Sequence, residues 1–165
     1  MPERYQIDWD DFHHHAQHGP CFICEIVARN PDYPAHLIYQ DDTALVFLDK
    51  YPALYGHTLV AAREHREQAT GDFTVEEYLE LQRVVYRVAE AIRAEVDPER
   101  VYIFTLGSQQ GNSHVHWHIT PLPPGVPYRE QQFAALRRAK NGVLMMTEVE
   151  KIDLTARIRR RWNGG

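Results

Sequence analysis

The sequence predicts an α+β fold, a sheet of about five strands with one long helix and short flanking helices. Three observations carry that expectation. Residues 74–96 hold a broad apolar stripe near helical period. Residues 37–39, 44–48, 57–62 and 101–106 are short apolar runs, rich in β-branched and aromatic side chains. His114, His116 and His118 alternate with Val115, Trp117 and Ile119, the period-2 pattern of a strand. Several strands around one long helix make an α+β arrangement.

Taken in order, residues 1–20 are polar and contain His13, His14, His15 and His18. They read as an arm or short helix end, and the histidine run as a solvated segment before a weak metal site. Residues 21–28 form a short helix stopped by Asn30, Pro31 and Asp32. Residues 37–39 and 44–48 are strands across a turn at Asp41 and Asp42. Residues 52–56 are a loop, and 57–62 a third strand. Thr74 caps the long helix, with Glu77 as its capping-box partner. Val75, Tyr78, Leu79, Leu81, Val85, Val88, Ile92 and Val96 form its core-facing stripe, and Asp97-Pro98 ends it. Residues 101–106 are a fourth strand and 107–113 a small polar loop. The histidine strand then stops at Pro121. Residues 128–140 and 147–161 form two further helices. The organisation is an N-terminal arm over 1–20, a core over 21–122, and a C-terminal helical extension over 123–165, with no internal repeat.

The chain has 165 residues, enough for one domain with a real core. Its 44% hydrophobic and 25% charged content is that of an ordinary globular protein. A net charge of −5 provides no basic field for a nucleic acid polymer or an anionic membrane. No stretch is long enough in apolar residues to span a bilayer. The N-terminus lacks an apolar signal region, so a cytoplasmic location is expected. The only cysteines, Cys21 and Cys24, then read as a metal-binding or redox pair more readily than as a structural disulfide.

Three imidazoles on one strand face are costly as core and useful as chemistry. Imidazole serves as nucleophile, general acid or base, or metal ligand near neutral pH. The bland alternative is a half-buried strand with a polar outer face. In the preceding loop, Gly107 and Gly111 let the backbone approach an anion. Ser108, Gln109, Gln110, Asn112 and Ser113 offer uncharged donors to phosphoryl oxygens. Otherwise this segment is a plain polar turn. The Arg157 to Arg161 cluster could attract an anionic substrate, but a solvated helix end is the simpler reading. Residues 123–132, just after the histidines, are placed to close over a leaving group.

His114 to Thr120 reads His-φ-His-φ-His-φ-φ with a mildly polar last position. Together with Cys21-Phe-Ile-Cys24, the run from Ala44 to Asp49 and the run from Gly56 to His65, it resembles the histidine triad (HIT) family of nucleotide hydrolases and transferases. The resemblance covers roughly residues 20–122 by motif. It implies an antiparallel sheet with helices packed on one side, in homodimers that extend the sheet. It implies that His116 attacks an α-phosphate to form a nucleotidyl-histidine intermediate, which water resolves with release of AMP. His118 would contact the phosphate or carry protons, and the carbonyl of His114 would orient His116. Asp49 would take the ribose hydroxyls, or simply initiate a turn. Phe22, Ile23 and Ile26 would form a purine slot, or plain core. Gln110, Asn112 and Ser113 would face the phosphates, in a loop that departs from the better-studied branches. His57 matches another histidine of the family, without an assigned role.

Cys21-x-x-Cys24 brings two sulfurs within reach of one ion. Resemblance to the zinc-containing branch implies that His65 and His114 complete a closed, structural zinc site. The alternatives are buried thiols or a redox pair. The expected partner is a purine nucleotide or dinucleotide, either a dinucleoside polyphosphate or a nucleoside phosphoramidate. His118, where transferase branches often have glutamine, favours hydrolysis, while a nucleotidyltransferase or phosphorylase stays open. Two other classes compete: a non-catalytic zinc or nucleotide-binding module, and a metalloenzyme whose three triad histidines all ligate a catalytic metal.

Overall fold

The computed structural model describes residues 3–106 and 113–164. In chain order these form β1 (Arg4–Tyr5), α1 (Trp9–His18), α2 (Phe22–Val27), β2 (Leu37–Gln40), β3 (Ala44–Leu48), β4 (Thr58–Ala62), α3 (Val75–Val96), β5 (Arg100–Phe104) and β6 (His116–Leu122). A 3₁₀ turn (Tyr128–Glu130), α4 (Gln131–Leu136), α5 (Arg138–Asn141), β7 (Val143–Leu144) and α6 (Glu148–Asn163) follow. The main sheet has five strands in the order β2-β3-β4-β6-β5, with every neighbouring pair antiparallel. The α+β expectation holds, with β6 next to the sheet edge.

Both faces of the central strands are covered, so β3 and β4 are buried at every position and, apart from Thr58 at the start of β4, apolar throughout. On one face Val46, Leu48, Val60, Trp117 and Ile119 pack with Val85, Val88 and Ile92 of α3 and Leu154 and Ile158 of α6. On the other, Leu45, Phe47, Leu59 and Ala61 receive Ile23 of α2. His116 and His118 lie opposite Ala61 and Leu59, on this second face.

Thr74 and Glu77 form the expected capping box. Asp97, with φ 44°, closes α3 in the left-handed region before Pro98. The stripe expected on α3 is corrected at its start, because Val75 and Leu79 are exposed. The buried row is Leu81, Val84, Val85, Val88, Ala89, Ala91 and Ile92, with Tyr78 packed on Trp117 from the first turn, while Val75 and Leu79 share the outer side of the helix with exposed Tyr86.

Three other boundaries differ from expectation. β6 continues through Pro121 to Leu122, because β4 has already ended and that side of β6 is a free edge, where proline is tolerated. The helix expected over 128–140 is a 3₁₀ turn followed by two short helices, broken at Arg137 with ψ 49°. The N-terminal segment, read as an arm or short helix end, is the ten-residue helix α1 preceded by a strand that ties it down. β1 pairs with β7, and Arg4 donates to the carbonyls of Gly142 (2.8 Å) and Ala53 (2.9 Å), clasping the two ends of the chain together. Three of the four arginines of α6 are pinned: Arg157 and Arg161 both pair with Glu95, and Arg159 donates to the carbonyls of Leu37 and Ile38.

Candidate functional site

The triad does not act as one row of imidazoles. Strand β6 begins only at His116, and His114 lies in the bend before it, where the Val115 N–H donates to the Arg66 carbonyl at 2.6 Å. The chain therefore turns His114 away from the face it would occupy on a strand. Its Nε2 lies 2.7 Å from the Ala62 carbonyl. A carbonyl only accepts, so Nε2 carries the proton and Nδ1 is left as a lone pair.

That lone pair faces sulfur. His114 Nδ1 lies 3.4 Å from Cys21 Sγ and 3.6 Å from Cys24 Sγ, and Cys24 Sγ lies 3.3 Å from His65 Nδ1. The four ligand atoms are all within 4.8 Å of one another. Ligands at the corners of a zinc tetrahedron, with Zn–S near 2.3 Å and Zn–N near 2.05 Å, sit about 3.5 Å apart. His65 Nε2 lies 3.1 Å from a Glu67 carboxylate oxygen, so each histidine directs its second nitrogen to an acceptor and its Nδ1 inward. Burial and the neighbouring Cys21 push the Cys24 thiol up to about 11, and a cation between the sulfurs is what would reverse that preference. The residues fit a closed Cys₂His₂ zinc site.

The second cluster opens on a cleft of about 770 Å³. His116 is buried, and its Nδ1 donates to the His114 carbonyl at 2.7 Å, which leaves the Nε2 lone pair unspent. His118 pairs through Nδ1 with His57 Nε2 at 2.9 Å. The Ala53 N–H donates to His57 Nδ1 at 3.1 Å, so His57 must carry its proton on Nε2. His118 then accepts at Nδ1 and carries its own proton on Nε2. Phe104 of β5 stacks flat on the His118 ring, centroids 4.8 Å apart and 10° from parallel. His57 donates to the ring and Phe104 stacks on it, so both hold its orientation and neither accepts its Nε2 proton.

Asp49, one residue beyond β3, closes the same side of the cleft. Its Oδ1 accepts the Tyr51 N–H at 2.8 Å, and its Oδ2 accepts from Arg138 Nη1 at 2.9 Å. Burial alone would raise its pKa, but the Arg138 guanidinium overrides this and holds the carboxyl well below the usual range. Burial pushes His57 down to about 4, so its 3.5 Å approach to Asp49 joins a neutral ring to a carboxylate. Burial lowers His118 well below its ordinary value, reinforced by His57 and His116. His116 is lowered by burial as well, partly countered by the His114 carbonyl. All three rings of this cluster are neutral at pH 7.

Phe22 and Ile26 line the cleft beside Phe47 and Leu59. Ile23 does not: it is fully buried beneath them, because residues 22 and 26 share one helix face while 23 lies a third of a turn away, toward the sheet. Ser113 is turned toward Glu67, beside the cysteine cluster, and Gln110 and Asn112 lie outside the described residues. Gln131 is tied to Glu99 and the Val126 carbonyl, and none of residues 123–132 lines the cleft. Sequence reasoning missed Arg138, Tyr51, Phe104 and the cleft-lining Phe12 and His15. Long-range packing brings in Arg138, Phe104 and Phe12, Tyr51 acts through a local backbone turn two residues from Asp49, and His15 lies in the histidine run read as solvated.

Residues 30–124 match the family model of the HIT domain. The chain is 35% identical over 106 residues to Protein hit of Bacillus subtilis, an alignment covering 62% of this chain and 70% of that one. It is 33% identical over 122 residues to an uncharacterised HIT-like protein of Mycobacterium tuberculosis, covering 72% and 83%. Among solved structures, a hypothetical histidine triad nucleotide-binding protein of Sulfolobus tokodaii superposes with a TM-score of 0.69 at 25% identity, covering 87% of this chain and 93% of that one. A Zn-bound histidine triad family protein of Mycobacterium smegmatis superposes at 0.66 and 24% identity, covering 87% and 94%.

Proposed function

The chain belongs to the HIT domain family, and from that premise we propose that it is a nucleotide hydrolase acting at an α-phosphate through a nucleotidyl-histidine intermediate. The observation that carries the reading is the tautomer of His116. Its Nδ1 proton is committed to the His114 carbonyl, and a buried, neutral Nε2 lone pair borders the cleft. A nucleophile for phosphorus needs that lone pair and that neutrality.

In the first step Nε2 of His116 attacks the α-phosphorus, and the bond to the leaving group breaks. The Nε2–H of His118 donates a hydrogen bond to the departing atom or a phosphoryl oxygen beside it, and the leaving group takes its proton from solvent. In the second step water attacks the same phosphorus and gives its proton to solvent. The phosphorus–nitrogen bond breaks, its electron pair returns to Nε2 of His116, and AMP leaves. His57 keeps Nδ1 of His118 engaged, so the ring presents its Nε2–H to the phosphate. Phe22, Ile26 and Phe47 supply an apolar slot for a purine, and Asp49 an acceptor for the ribose hydroxyls. Dinucleoside polyphosphates and nucleoside phosphoramidates meet these requirements.

Cys21, Cys24, His65 and His114 would hold zinc. Bound there, the ion supplies positive charge that keeps both sulfurs as thiolates and ties α2 to the turn carrying His114. The carbonyl of that same residue orients His116, so a closed zinc site steadies the nucleophile without touching it. Pairing of two copies through β5 is part of the same reading: β5 is an edge strand, and Ile103 on it and Leu106 just beyond its end are exposed. Among the described residues no helix is long and apolar enough to cross a membrane.

The test is acid quenching during turnover of an adenosine phosphoramidate labelled at the α-phosphate. Acid-labile label bound to the wild-type chain, and none bound to His116→Ala, is the expected result. Turnover that persists in His116→Ala, or that disappears on chelation while the fold remains, would overturn the assignment.

A further inference from the structure

Arg138 stands outside the matched residues 30–124, yet it sits on the floor of the cleft. It starts α5, in the C-terminal extension. Its Nη1 donates to Asp49 Oδ2 at 2.9 Å and to the Tyr51 carbonyl at 3.1 Å, with only 14% of the side chain exposed. The guanidinium carbon lies 5.7 Å from the ring centre of Trp9 and 5.6 Å from that of Phe12, both from the N-terminal helix. The two ends of the chain, clasped by β1 and β7, thus converge on one carboxylate.

The acceptor capacity of Asp49 gives this arrangement a purpose. An ionised carboxylate offers about four acceptor positions, two per oxygen. Tyr51 N–H takes one on Oδ1, and Arg138 takes one on Oδ2. His57 Nε2, at 3.5 Å, spends its proton on His118 instead. One position remains on each oxygen. Two vicinal hydroxyls present this same demand, one donor for each oxygen of a carboxylate whose plane cannot rotate. With Arg138 absent, only the Tyr51 N–H would restrain that plane.

We propose that Arg138 is a positioning residue of the nucleotide site, locking the Asp49 carboxylate so that it discriminates a ribose, with both hydroxyls, from a 2′-deoxyribose. The inference rests on the reading of Asp49 as the ribose acceptor and does not require hydrolysis. Arginine suits the role because the two hydrogens on Nη1, fixed in the guanidinium plane, bond the carboxylate and the Tyr51 carbonyl at once, whereas the hydrogens of an ammonium rotate freely. The aromatic faces of Trp9 and Phe12 hold the fork from behind.

The test is calorimetric binding of AMP and of 2′-deoxy-AMP to the full chain, with thermal melting of each variant in parallel. The wild type is expected to prefer AMP by about tenfold, the worth of one well-aligned hydrogen bond. Arg138→Gln is expected to shrink that preference to about threefold or less, through weaker AMP binding, with 2′-deoxy-AMP little changed. Arg138→Lys keeps the charge and should fall between the two, so it decides the matter should Arg138→Gln not melt cooperatively. A folded variant that keeps the full preference overturns the proposal, as does equal weakening of both ligands. AMP bound with ribose preference by a protein that hydrolyses nothing would sink the hydrolase reading and leave this one standing. No binding of either nucleotide to wild type would sink both.

Discussion

His114 and His116 are two residues apart in one motif, and the structure commits them to opposite chemistry. His114 spends its Nε2 proton on the Ala62 carbonyl and turns Nδ1 toward two sulfurs. His116 spends its Nδ1 proton on the His114 carbonyl and leaves Nε2 at the cleft. The residue type is the same, and so is the sequence neighbourhood. Which backbone oxygen each ring can reach decides the tautomer, and the tautomer decides which lone pair is presented, to a metal or to phosphorus on the proposed reading. The two clusters are nonetheless joined, because His114 lends its ring to one and its carbonyl to the other.

The comparison breaks most visibly at the nucleophile. His116→Ala is expected to lower AMP release by about 10⁴-fold or more, as loss of a covalent nucleophile does, while bound zinc, measured by elemental analysis, stays at the wild-type level. Zinc lost together with activity would show that the clusters are not separable. The converse substitution, Cys24→Ser, should abolish stoichiometric zinc and lower the melting temperature. Its effect on turnover should be smaller than that of His116→Ala, because it disturbs only the turn that orients the ring.

Acid should act on the cleft cluster first. His57 has a folded pKa of about 4 against 6.5 in the unfolded chain. Above pH 6.5 neither state binds a proton there. Below it the unfolded chain does and the folded one does not, until about pH 4. Stability should therefore fall by about 1.4 kcal/mol per pH unit across that window, roughly 3 kcal/mol in all, and His57 should contribute no further loss below it. The depressed pKa of Asp49 acts in the same direction at lower pH, where protonation removes its pairing with Arg138. Chemical denaturation of wild type and His57→Gln at pH 7 and pH 4.5 measures the first effect, and an unchanged slope in the variant would contradict it. The smallest effect expected is at the support of the metal site. Glu67→Gln weakens the acceptor behind His65, so zinc affinity should drop by about 10- to 100-fold with the site still able to fill.

Much of this was legible in the sequence, and the particular residues show why. The capping box of Thr74 and Glu77 and the period of α3 are local properties, so they survive any packing. The sheet was legible as five short runs. Cys21, Cys24, His65 and His114 were identified together through family resemblance, and the structure brings them within one ion's reach. Ile23 was left between slot and core, and the fold places it in the core, because a short apolar run does not say which side of a one-and-a-half-turn helix meets the sheet. Val75 and Leu79 were misplaced because a broad apolar stripe does not say which part of its arc meets the sheet.

What the sequence by itself determined is the order and type of the elements and the chemical inventory of the site, since both follow from local periodicity, caps and residue identity. What only the tertiary structure decided is the division of labour among the histidines and the arrival of Arg138, Phe104 and Phe12. Those depend on contacts such as Ala62 with His114, Ala53 with His57, and Asp49 with Arg138, between residues 4 to 89 positions apart. A proton on an imidazole goes to whichever acceptor folding places within about 3 Å, and no local pattern records that distance.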